Sequence, residues 1–371
     1  MVVLHISGAR SWGGNEQQLV DVIPELEHFN VQNIILGISN SPLHNYIKEK
    51  DNKTLFIASK EFKINKRRNF KFLKEVVKKY TPDLIHLHTS DSATLFVISD
   101  ILFNLKVSTV LSKKGIGNSM SYLSLYKYNY SGIKKIICVS KAVEKDLKEN
   151  VIKRKNQAKL CVVYDGVNLD RTRIVRTENI KKLFNISDKK YIIGNIANHV
   201  RAKDLDVLID MMYFLVNNLS VKNIHLLQLG EFSGLTDSLK LKVRELSLDD
   251  YISFGGFQDH ALDFLPQFDV YVMSSQREGL PITIFEAFYK KTPVVSTKAG
   301  GISEAIKDGE NGFLAEIKDS KTLAQKVNTL LKSKYLAEKF TQNSEKIFHE
   351  RFVSNVTAKN TFAVYKEVLE L

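Results

Sequence analysis

The sequence predicts an α/β protein made of two Rossmann-like, doubly wound domains that face each other across a cleft. Three observations predict this class. The chain has 371 residues, more than a single core usually supports. Its composition, 44% hydrophobic and 26% charged residues, is that of a globular protein. Short β-like runs alternate with helical patterns in both halves, and such alternation indicates parallel sheets covered by helices.

The strands are predicted from short apolar runs. Those of the first half are VVLHIS, QNIILGIS, TLFIAS, DLIHLHT, STVLS and KIICVS. The second half repeats the plan with YIIGNIAN, HLLQLG, YISFGG, DVYVMSS, TPVVST and GFLAEI. Segments between them, such as NEQQLVDVIPELEHF, have apolar residues at helical spacing. The pattern weakens around residues 165–190, so we predict a first domain at 1–165 and a second at 166–354.

The apolar runs and the cysteines limit the class of protein. No run approaches the roughly 18 to 20 uncharged apolar residues that a membrane span needs. The start, MVVLHISGARSWGG, is interpreted as a first strand and not as a signal peptide. Cys138 and Cys161 lie in strand-like runs, which predicts reduced, buried thiols in a cytosolic protein.

The positive charge is concentrated in the first half of the chain. Residues 1–165 contain 26 Lys and Arg against 15 Asp and Glu, whereas the remainder contains 28 against 26. The densest patch is SKEFKINKRRNFKFLKEVVKKY, which would attract anionic lipid, acidic glycan, phosphate or nucleic acid, or would simply be a solvated face. Nucleic-acid binding would need stacking aromatics. Phe70 and Phe72 have the spacing of helical core residues instead, so we predict no nucleic-acid partner.

Ligands of open α/β sheets bind beyond the carboxyl ends of the strands. After the first strand, Gly13 and Gly14 precede a helix whose free amides suit an anion, although a tight turn explains the glycines equally well. The stretch is not GxGxxG, which argues against NAD. After YIIGNIAN, Arg201 and Lys203 arrive where a helix begins, either to grip phosphate oxygens or as a solvated first turn.

Two observations argue against an essential metal ion. The Asp204–Asp206 stretch resembles an Asp-x-Asp metal motif, but it falls on the helix, where capping and helix-dipole roles explain it better. The sequence has no His/Cys cluster with zinc spacing. We therefore predict no metal and no cofactor.

The stretch REGLPITIFEAF follows the strand DVYVMSS. Pro281 suits the first helical position, so Glu278 lies in the loop and Glu286 about one and a half turns into the helix. The two carboxylates are thus expected on either side of a ligand. Amides near Gly279 and Leu280 suit a diphosphate, and a carboxylate suits vicinal hydroxyls. Taken alone, Glu286 could equally be an ordinary helix acid.

These residues together resemble the retaining nucleotide-sugar glycosyltransferases of family 4, which have the two-domain GT-B fold. SSQREGLPITIFEAFYKKTPVVSTKAGGISEAIKDGENGFL matches that family's E-G-x-P…E-A…G-x-P-V-V…G-G…E-x-I…G motif, with Glu278 and Glu286 as its Glu-x7-Glu pair. VVYDGVNLD resembles its interdomain link and SWGGNE its first loop. The resemblance implies an acceptor-binding first domain, completed by a C-terminal helix at about 355–371, and a donor-binding second domain.

The resemblance also implies residue roles. Glu286 would bind the ribose hydroxyls, Glu278 would lie beside the donor sugar, and Arg201 with Lys203 would stabilise the departing diphosphate. The implied catalytic residues are Glu278, Lys203, Arg201 and Lys113. The implied donor-binding residues are Gly13, Gly14, Asn198, His199, Arg201, Lys203, Gly230, Phe254, Gly255, Phe257, Glu278, Gly279, Leu280, Pro281, Ile282 and Glu286.

The sequence departs from the family pattern in two places. Asn198 stands where many relatives have arginine, and either Arg201 or His199 could take that role. The loop SKKGIGNS lacks a histidine found in many relatives; Lys113 or Lys114 could hold an anionic donor or acceptor there, or the role is vacant. His86, in a predicted strand, is expected to be a buried core histidine.

The implied activity is metal-independent transfer of a hexose or N-acetylhexosamine, with retention, from a nucleoside-diphosphate sugar to a glycan or glycolipid hydroxyl. The expected donor is a UDP-sugar, and the expected process is synthesis of cell-surface polysaccharide or lipopolysaccharide. Alternatives are a GT-B nucleotide-sugar epimerase and a catalytically silent sugar-binding partner subunit. The expected partners are the donor, a glycan or lipid-linked glycan acceptor and an anionic membrane surface, with the chain in the cytoplasm or peripheral on the inner face of the cytoplasmic membrane.

Overall fold

The computed structural model describes residues 1–50, 53–117, 122–172 and 178–370. The chain forms two compact units: unit 1 comprises Met1–Asn168 and Val353–Leu371, and unit 2 comprises Leu169–Phe352. Each unit contains one parallel sheet flanked in sequence by helices, which confirms the predicted fold class. Within the described ranges, no helix combines the length and the apolar character that crossing a membrane requires.

Unit 1 alternates strands and helices from the start of the chain. Its elements before the unit boundary are β1 (Val2–Ile6), α1 (Gly14–Glu27), β2 (Gln32–Gly37), α2 (Pro42–Lys50), β3 (Leu55–Ala58), α3 (Arg67–Tyr80), β4 (Leu84–Leu87), α4 (Ser90–Phe103), β5 (Ser108–Lys113), α5 (Tyr122–Tyr128), β6 (Ile133–Cys138), α6 (Lys141–Asn150) and β7 (Leu160–Val162).

Unit 2 follows the same plan and is continuous in sequence. Its elements are α7 (Leu169–Thr172), α8 (Ile180–Leu183), β8 (Tyr191–Ile196), α9 (Leu205–Tyr213), β9 (Ile224–Leu229), α10 (Thr236–Glu245), β10 (Ile252–Gly256), β11 (Val270–Met273), α11 (Ile282–Tyr289), β12 (Val294–Thr297), α12 (Ile302–Ala305), β13 (Phe313–Ala315), α13 (Ser320–Lys332) and α14 (Lys334–Arg351). The chain then ends with α15 (Ser354–Leu369), which belongs to unit 1.

The two sheets have related strand orders. The seven-stranded sheet of unit 1 runs β3-β2-β1-β4-β5-β6-β7, and the six-stranded sheet of unit 2 runs β10-β9-β8-β11-β12-β13. The strand order therefore reverses between β1 and β4 in unit 1, and between β8 and β11 in unit 2. Such switch points open a crevice at the carboxyl ends of the strands, where ligands of doubly wound sheets bind.

The apolar runs form strands because they are buried. Every residue of β4, β9, β11 and β12 is buried, as expected of central strands in a parallel sheet covered by helices. The core of unit 2 joins residues of β9, β11 and β12 to α9 and α13. Cys138 and Cys161 are free thiols, as predicted, although Cys161 is only partly buried.

The last helix, α15, completes the core of unit 1. Its Ala358, Val364 and Tyr365 pack with sheet residues such as Val110 and Ile137. The backbone of Val353 pairs with Val167 just before the helix begins. A Cβ atom at the neighbouring Gly166 would lie 2.4 Å from the Val353 carbonyl carbon, so this close approach requires glycine.

The basic helix α3 differs from expectation on one point. Its buried face consists of Asn69, Leu73 and Val76. Phe70 and Phe72 are only half-buried, so their interpretation as core residues was wrong. Phe72 instead lies beneath Lys60, whose ammonium is 4.7 Å from the ring centre.

Candidate functional site

Glu278 lies in the loop between β11 and α11 and is bound by two donors. Lys203 Nζ donates to Glu278 Oε1 over 2.6 Å, and Ser275 Oγ donates to the same oxygen over 2.7 Å. The other oxygen, Oε2, has no hydrogen-bond partner within the part of the chain that the structure describes. Two residues that were predicted for separate roles, Lys203 and Glu278, are therefore in direct contact, with one carboxylate oxygen available.

The loops after β8 and β11 are joined at the switch point of unit 2. Gln276 donates from its backbone to the carbonyl of Ala202 over 2.9 Å, and from its side chain to the carbonyl of Arg201 over 2.6 Å. Ser274 Oγ donates to the carbonyl of Lys203 over 3.0 Å. The Arg201 side chain itself is exposed, and its guanidinium has no partner among the described residues. A fixed loop thus presents a free cation to solvent.

Glu286 lies in α11 and is only 4% exposed. Arg171 Nη2 donates to its Oε1 over 2.9 Å, in an ion pair between residues 115 positions apart. A buried carboxylate needs such a partner to stay ionised. Sequence reasoning missed Arg171 because it lies in the polar link, where no spacing connects it to Glu286.

Helix α11 begins one residue later than predicted. Pro281 is its N-cap, with extended backbone and no side-chain cap, and the first helical residue is Ile282. The prediction that Pro281 is the first helical residue was therefore wrong by one position. Leu280 is buried, and the carbonyl of Gly279 accepts a hydrogen bond from Gly301, which follows β12. A helix start without a side-chain cap leaves amides for an anion.

His199 is a structural residue of unit 2. Its ring is 1% exposed and contacts Thr236 Oγ1 at 2.8 Å and Gln228 Oε1 at 2.7 Å. Burial lowers its pKa, so the ring is neutral at physiological pH. Asn198 accepts a hydrogen bond from the backbone of Glu231 over 2.9 Å. Both nitrogens of His199 are therefore occupied within unit 2, whereas the guanidinium of Arg201 has no partner among the described residues.

The remaining predicted donor residues of unit 2 lie at the ends of β9 and β10. Gly230 has φ +150°, and a Cβ atom there would lie 2.0 Å from the carbonyl oxygen of Ala197. Gly255 packs against Leu229, with its virtual Cβ 2.6 Å from Cδ2. Phe254 is half-buried, whereas the Phe257 side chain is 67% exposed. Phe257 therefore offers an open aromatic face beyond the carboxyl end of β10.

Asp204 does not act as the predicted cap. It occupies the N-cap position of α9 with φ 47°, but its side chain caps no backbone amide. Its Oδ2 atom is buried without a hydrogen-bond partner within the described ranges. Burial, reinforced by the neighbouring Asp206, raises the pKa of the Asp204 carboxyl. The left-handed backbone turns the side chain away from the amides that a capping residue would reach.

The glycine pair of unit 1 begins helix α1. Gly13 is its N-cap, with extended backbone at φ −160°, and Gly14 is its first residue. The buried Glu16 follows in the first turn, with Ser7 Oγ 3.4 Å from its Oε1. Burial raises the pKa of Glu16 to about 7. The sequence analysis did not single out Glu16, whose burial depends on tertiary packing.

Three buried histidines meet at the switch point of unit 1. His86 is buried as predicted and contacts Tyr365 Oη at 2.6 Å and Ser112 Oγ at 2.8 Å. His5 Nδ1 lies 3.0 Å from His88 Nε2. Burial is the main cause that lowers the pKa of each ring, to about 4 for His5. The sequence could not show this cluster, because it depends on the pairing of β1 with β4, where His5 is opposite His86.

Ring nitrogens of these three histidines lie within 4.8 Å of one another, close enough to hold a metal ion. Each nitrogen of His86 already has a hydrogen-bond partner, and His5 Nε2 lies 3.0 Å from Asn33 Oδ1. An ion bound by His86 would have to displace Tyr365 or Ser112. The cluster is therefore a hydrogen-bonded network of neutral rings.

The two lysines of the SKKGIGNS loop have different surroundings. The ammonium of Lys114 pairs with the buried carboxylate of Asp165. Lys113 is half-buried at the end of β5, with its Nζ 5.9 Å from the ring centre of Tyr128. Lys114 is thus used within the fold, whereas Lys113 has no hydrogen-bond acceptor in the described ranges. Asn118 and Ser119 of this loop lie outside the described residues.

The fold and the site define a class of protein. Two parallel α/β units, with paired carboxylates and cations at the switch point of the second, are typical of GT-B glycosyltransferases. Residues 12–171 match the family described as Glycosyltransferase Family 4, and residues 176–347 match Glycosyl transferases group 1. The chain belongs to this family of group 1, family 4 glycosyltransferases.

Individual relatives are distant in sequence. N-acetyl-alpha-D-glucosaminyl L-malate synthase of Bacillus anthracis is 24% identical over 302 residues, covering 80% of this chain and 77% of the relative. The O-antigen biosynthesis glycosyltransferase WclY of Escherichia coli is 24% identical over 314 residues, covering 80% of this chain and 82% of the relative.

Solved structures have the same fold over nearly the whole chain. A glycosyltransferase from Rickettsia africae ESF-5 superposes with a TM-score of 0.85 at 22% identity, covering 99% of this chain and 98% of that one. Anabaena Alr3699/HepE in complex with UDP and glucose superposes with a TM-score of 0.82 at 18% identity, covering 99% and 100%. At these identities the likeness establishes the fold.

Proposed function

We propose that this glycosyltransferase moves a hexose or N-acetylhexosamine from a UDP-sugar to a hydroxyl of a glycan or glycolipid acceptor, with retention at the anomeric carbon. One observation carries the proposal. At the switch point of unit 2, the contact of Lys203 with Glu278 adjoins the loop that presents the unpaired Arg201. That arrangement offers cations to a diphosphate and a carboxylate to a sugar.

The donor contacts follow from the chemistry of each group. The first-turn amides of α11 and the guanidinium of Arg201 bind the diphosphate oxygens. Glu286 accepts hydrogen bonds from the two ribose hydroxyls, and Arg171 keeps that carboxylate ionised and oriented. Glu278 Oε2 accepts from a hydroxyl of the donor sugar. The exposed ring of Phe257 flanks the base.

The chemical step needs positive charge at the leaving group. As the bond to the anomeric carbon breaks, negative charge develops on the diphosphate, and Arg201 with Lys203 stabilises it. Retention by a glycosidase-type nucleophile would use two carboxylates about 5 Å apart flanking the scissile bond. We assign Glu286 to ribose instead, so the acceptor attacks from the face that the diphosphate leaves, and the leaving phosphate takes the acceptor proton.

The proposed step uses no metal ion or cofactor, because two side chains supply the charge. Activity is accordingly expected to survive EDTA. Loss of activity in EDTA, regained with manganese, would contradict this part of the proposal. The UDP specificity is supported by the Anabaena protein crystallised with UDP. A thermal-shift comparison of UDP, GDP and ADP, alone and as sugars, would test it, since a bound donor raises the unfolding temperature.

Substitution of Glu286 tests the donor site. Glu286→Ala removes the acceptor for the ribose hydroxyls, and a hydrogen bond to a charged group contributes about 1.5–3 kcal/mol. We expect UDP to bind roughly 10- to 100-fold more weakly, measured by calorimetry. Glu338→Ala, which changes an exposed helical glutamate of α14 in the same unit, is the control and should bind UDP normally. Equal UDP affinity in Glu286→Ala and the parent protein would refute the ribose assignment.

The product distinguishes transfer from the alternatives. NMR of the product should show the anomeric configuration of the donor, which establishes retention. An epimerised nucleotide sugar formed from UDP-sugar alone would indicate the epimerase instead. Binding of UDP-sugar without turnover on any acceptor would indicate a silent sugar-binding subunit.

We propose that the acceptor belongs to cell-surface polysaccharide or lipopolysaccharide synthesis and that unit 1 docks from the cytoplasm on an anionic membrane. The support is the exposed basic face of α3, together with Ile101 and Leu102, which are 56% and 59% exposed. Lys74 on α3 connects this basic face to α4, because its ammonium lies 5.1 Å from the ring centre of Phe103 on that helix. The O-antigen role printed for WclY is consistent with such an acceptor.

Charge reversal tests the membrane proposal. Each lysine near an anionic bilayer contributes about 1 kcal/mol, so Lys71→Glu with Lys78→Glu should weaken binding to anionic liposomes at least ~10-fold. The control, Lys334→Glu with Lys346→Glu in unit 2, should bind as the parent does. Salt should release the parent protein. Equal binding to neutral and anionic liposomes would contradict docking by charge.

A further inference from the structure

Two lysines of unit 1 share one aromatic ring. Lys113 Nζ lies 5.9 Å and Lys127 Nζ 5.5 Å from the ring centre of Tyr128. Tyr128 is 4% exposed and Lys127 is 5% exposed, so both are buried beside the half-buried Lys113. Two ammonium groups therefore lie within 6 Å of the same ring, one on a buried lysine and one on a half-buried lysine.

Lys127 is bound only by neutral groups. Its ammonium donates to Ser90 Oγ over 2.6 Å, to the carbonyl of Ser90 over 3.0 Å and to Thr94 Oγ1 over 3.3 Å. These three contacts use its three N–H donors. Within the described ranges, no carboxylate lies within 4.0 Å of it. Its side chain is thus fixed, and the carboxylate that attracts its charge, Asp91 on α4, lies beyond ion-pair distance.

Lys113 has neither a carboxylate partner nor a hydrogen-bond acceptor among the described residues. Opposite it in the sheet is Cys138, whose thiol stays neutral because burial raises its pKa to about 12. Asp146 on α6 attracts the ammonium but lies beyond ion-pair distance. Burial lowers the pKa of both lysines, and Lys113 adds a smaller lowering of the pKa of Lys127. A desolvated cation without a counter-ion is costly, and a bound anion would remove that cost.

The position of Lys113 is that of a ligand contact. It is the last residue of β5, at the carboxyl edge of the sheet, where ligands of doubly wound folds bind. Ser90, which holds Lys127, begins α4 directly after β4, the strand beside β5. The two lysines therefore lie where the carboxyl ends of two adjacent strands meet α5.

We propose that the acceptor of the transfer carries an anionic group, a carboxylate or a phosphate, and that this group binds Lys113 beside the buried Lys127 and Tyr128. The inference rests on the proposed transfer to an acceptor and specifies the acceptor's chemical class. Lys113 donates directly to the anion, while the immobilised Lys127 contributes its field. Lys114, paired with Asp165, takes no part.

The test compares small anions with a neutral probe. L-malate and inorganic phosphate serve as the anions and glycerol as the neutral probe, each titrated calorimetrically into the full chain saturated with UDP. At least one anion should bind the parent protein and glycerol should not. Lys113→Met should weaken that anion roughly 10- to 100-fold, as expected for loss of a hydrogen bond between charged groups. Lys113→Arg should keep most of the affinity.

Two controls keep the test decisive. Lys134→Met changes an exposed lysine near the start of β6, at the other end of the sheet, and should bind the anion as the parent does. The affinity of Lys113→Met for UDP should be unchanged. Lys127→Met is avoided because loss of the three buried contacts of Lys127 would compromise folding. The pH dependence of anion binding is measured as a second test instead. Anion affinity should fall with rising pH earlier than the usual lysine pKa of about 10.4 predicts.

The inference fails if neither anion binds the parent protein, or if Lys113→Met and Lys134→Met bind the anion equally. Equal loss of UDP and anion affinity in Lys113→Met would overturn it by assigning Lys113 to the donor. Failure of the proposed function has a different signature, because UDP would then not bind the parent protein at all.

Discussion

The switch points of the two sheets have equivalent strand orders, but one holds charged side chains and the other holds neutral ones. In unit 2, the loops after β8 and β11 bring Lys203 against Glu278. In unit 1, β1 and β4 bring together His5, His86 and His88, which burial keeps neutral. The same topology therefore places an ion pair at the switch point of unit 2 and an uncharged hydrogen-bonded network at that of unit 1. At the carboxyl edge of unit 1, Lys113 lies one strand further along and has no carboxylate partner among the described residues, whereas its neighbour Lys114 pairs with Asp165.

The comparison teaches how charge is kept available. An ion pair at the edge of a sheet holds both side chains in place and keeps them charged until a ligand replaces one partner. A desolvated cation without a counter-ion, such as Lys113, stays available only at a cost to stability. In unit 2, Lys203 is thus held by a carboxylate that a ligand can replace. In unit 1, Lys113 has no counter-ion among the described residues.

The largest expected effect comes from breaking the pair in unit 2. Lys203→Met removes positive charge from the departing diphosphate, and loss of one such group costs about 10²–10³ in kcat. Glu278→Gln should cost less, because it leaves the lysine free. Steady-state kinetics of the single and double variants give the coupling between them.

The control for this prediction is Lys298→Met, which breaks the more exposed pair of Lys298 with Glu316 in the same unit. Its kcat should equal that of the parent. A Lys203→Met enzyme with kcat within about threefold of the parent would show that the pair is structural and that the two switch points differ less than proposed.

A smaller effect sharpens the comparison from the side of unit 1. Glu16 has a pKa of about 7 in the fold against 4.5 otherwise, so the folded chain holds its proton over that window. Its stabilising contribution is complete below pH 4.5 and is lost as the pH rises through 7. Glu16→Gln should therefore gain stability relative to the parent between pH 4.5 and 8, by at most about 3 kcal/mol.

Urea unfolding at pH 5 and pH 8 measures that gain. The histidines act in the opposite direction, since the low pKa of His5, about 4, makes the fold lose stability as the pH falls below 6.5. Their contribution is common to both proteins and cancels in the difference. A difference between Glu16→Gln and the parent that is the same at both pH values would contradict the raised pKa.

Local patterns predicted what depends on local sequence. The strands follow from apolar runs, because central parallel strands are buried on both faces. Glu278 and Glu286 were recognised from their spacing around a helix start. Arg171 was missed because its ion pair joins residues 115 positions apart. The cap expected of Asp204 was wrong because its backbone is left-handed, a property that its neighbours in sequence do not reveal.

The other features that the sequence did not predict depend on how strands pair in the folded sheet. The histidine cluster of unit 1 exists only because β1 pairs with β4 so that His5 is opposite His86. The difference between Lys113 and Lys114 has a similar origin. Adjacent residues at the end of a strand point to opposite faces, so one lysine meets Asp165 and the other meets Tyr128.

Because α15 belongs to unit 1, the position of this helix in the sequence affects the order in which the two units can finish folding during synthesis. Tyr365 contacts His86 across 279 positions of sequence, so the ribosome must synthesise all of unit 2 before unit 1 receives its last core helix. Unit 2, continuous in sequence, can fold first even though it begins second. Unit 1, whose strands are synthesised first, is thus the last to be complete.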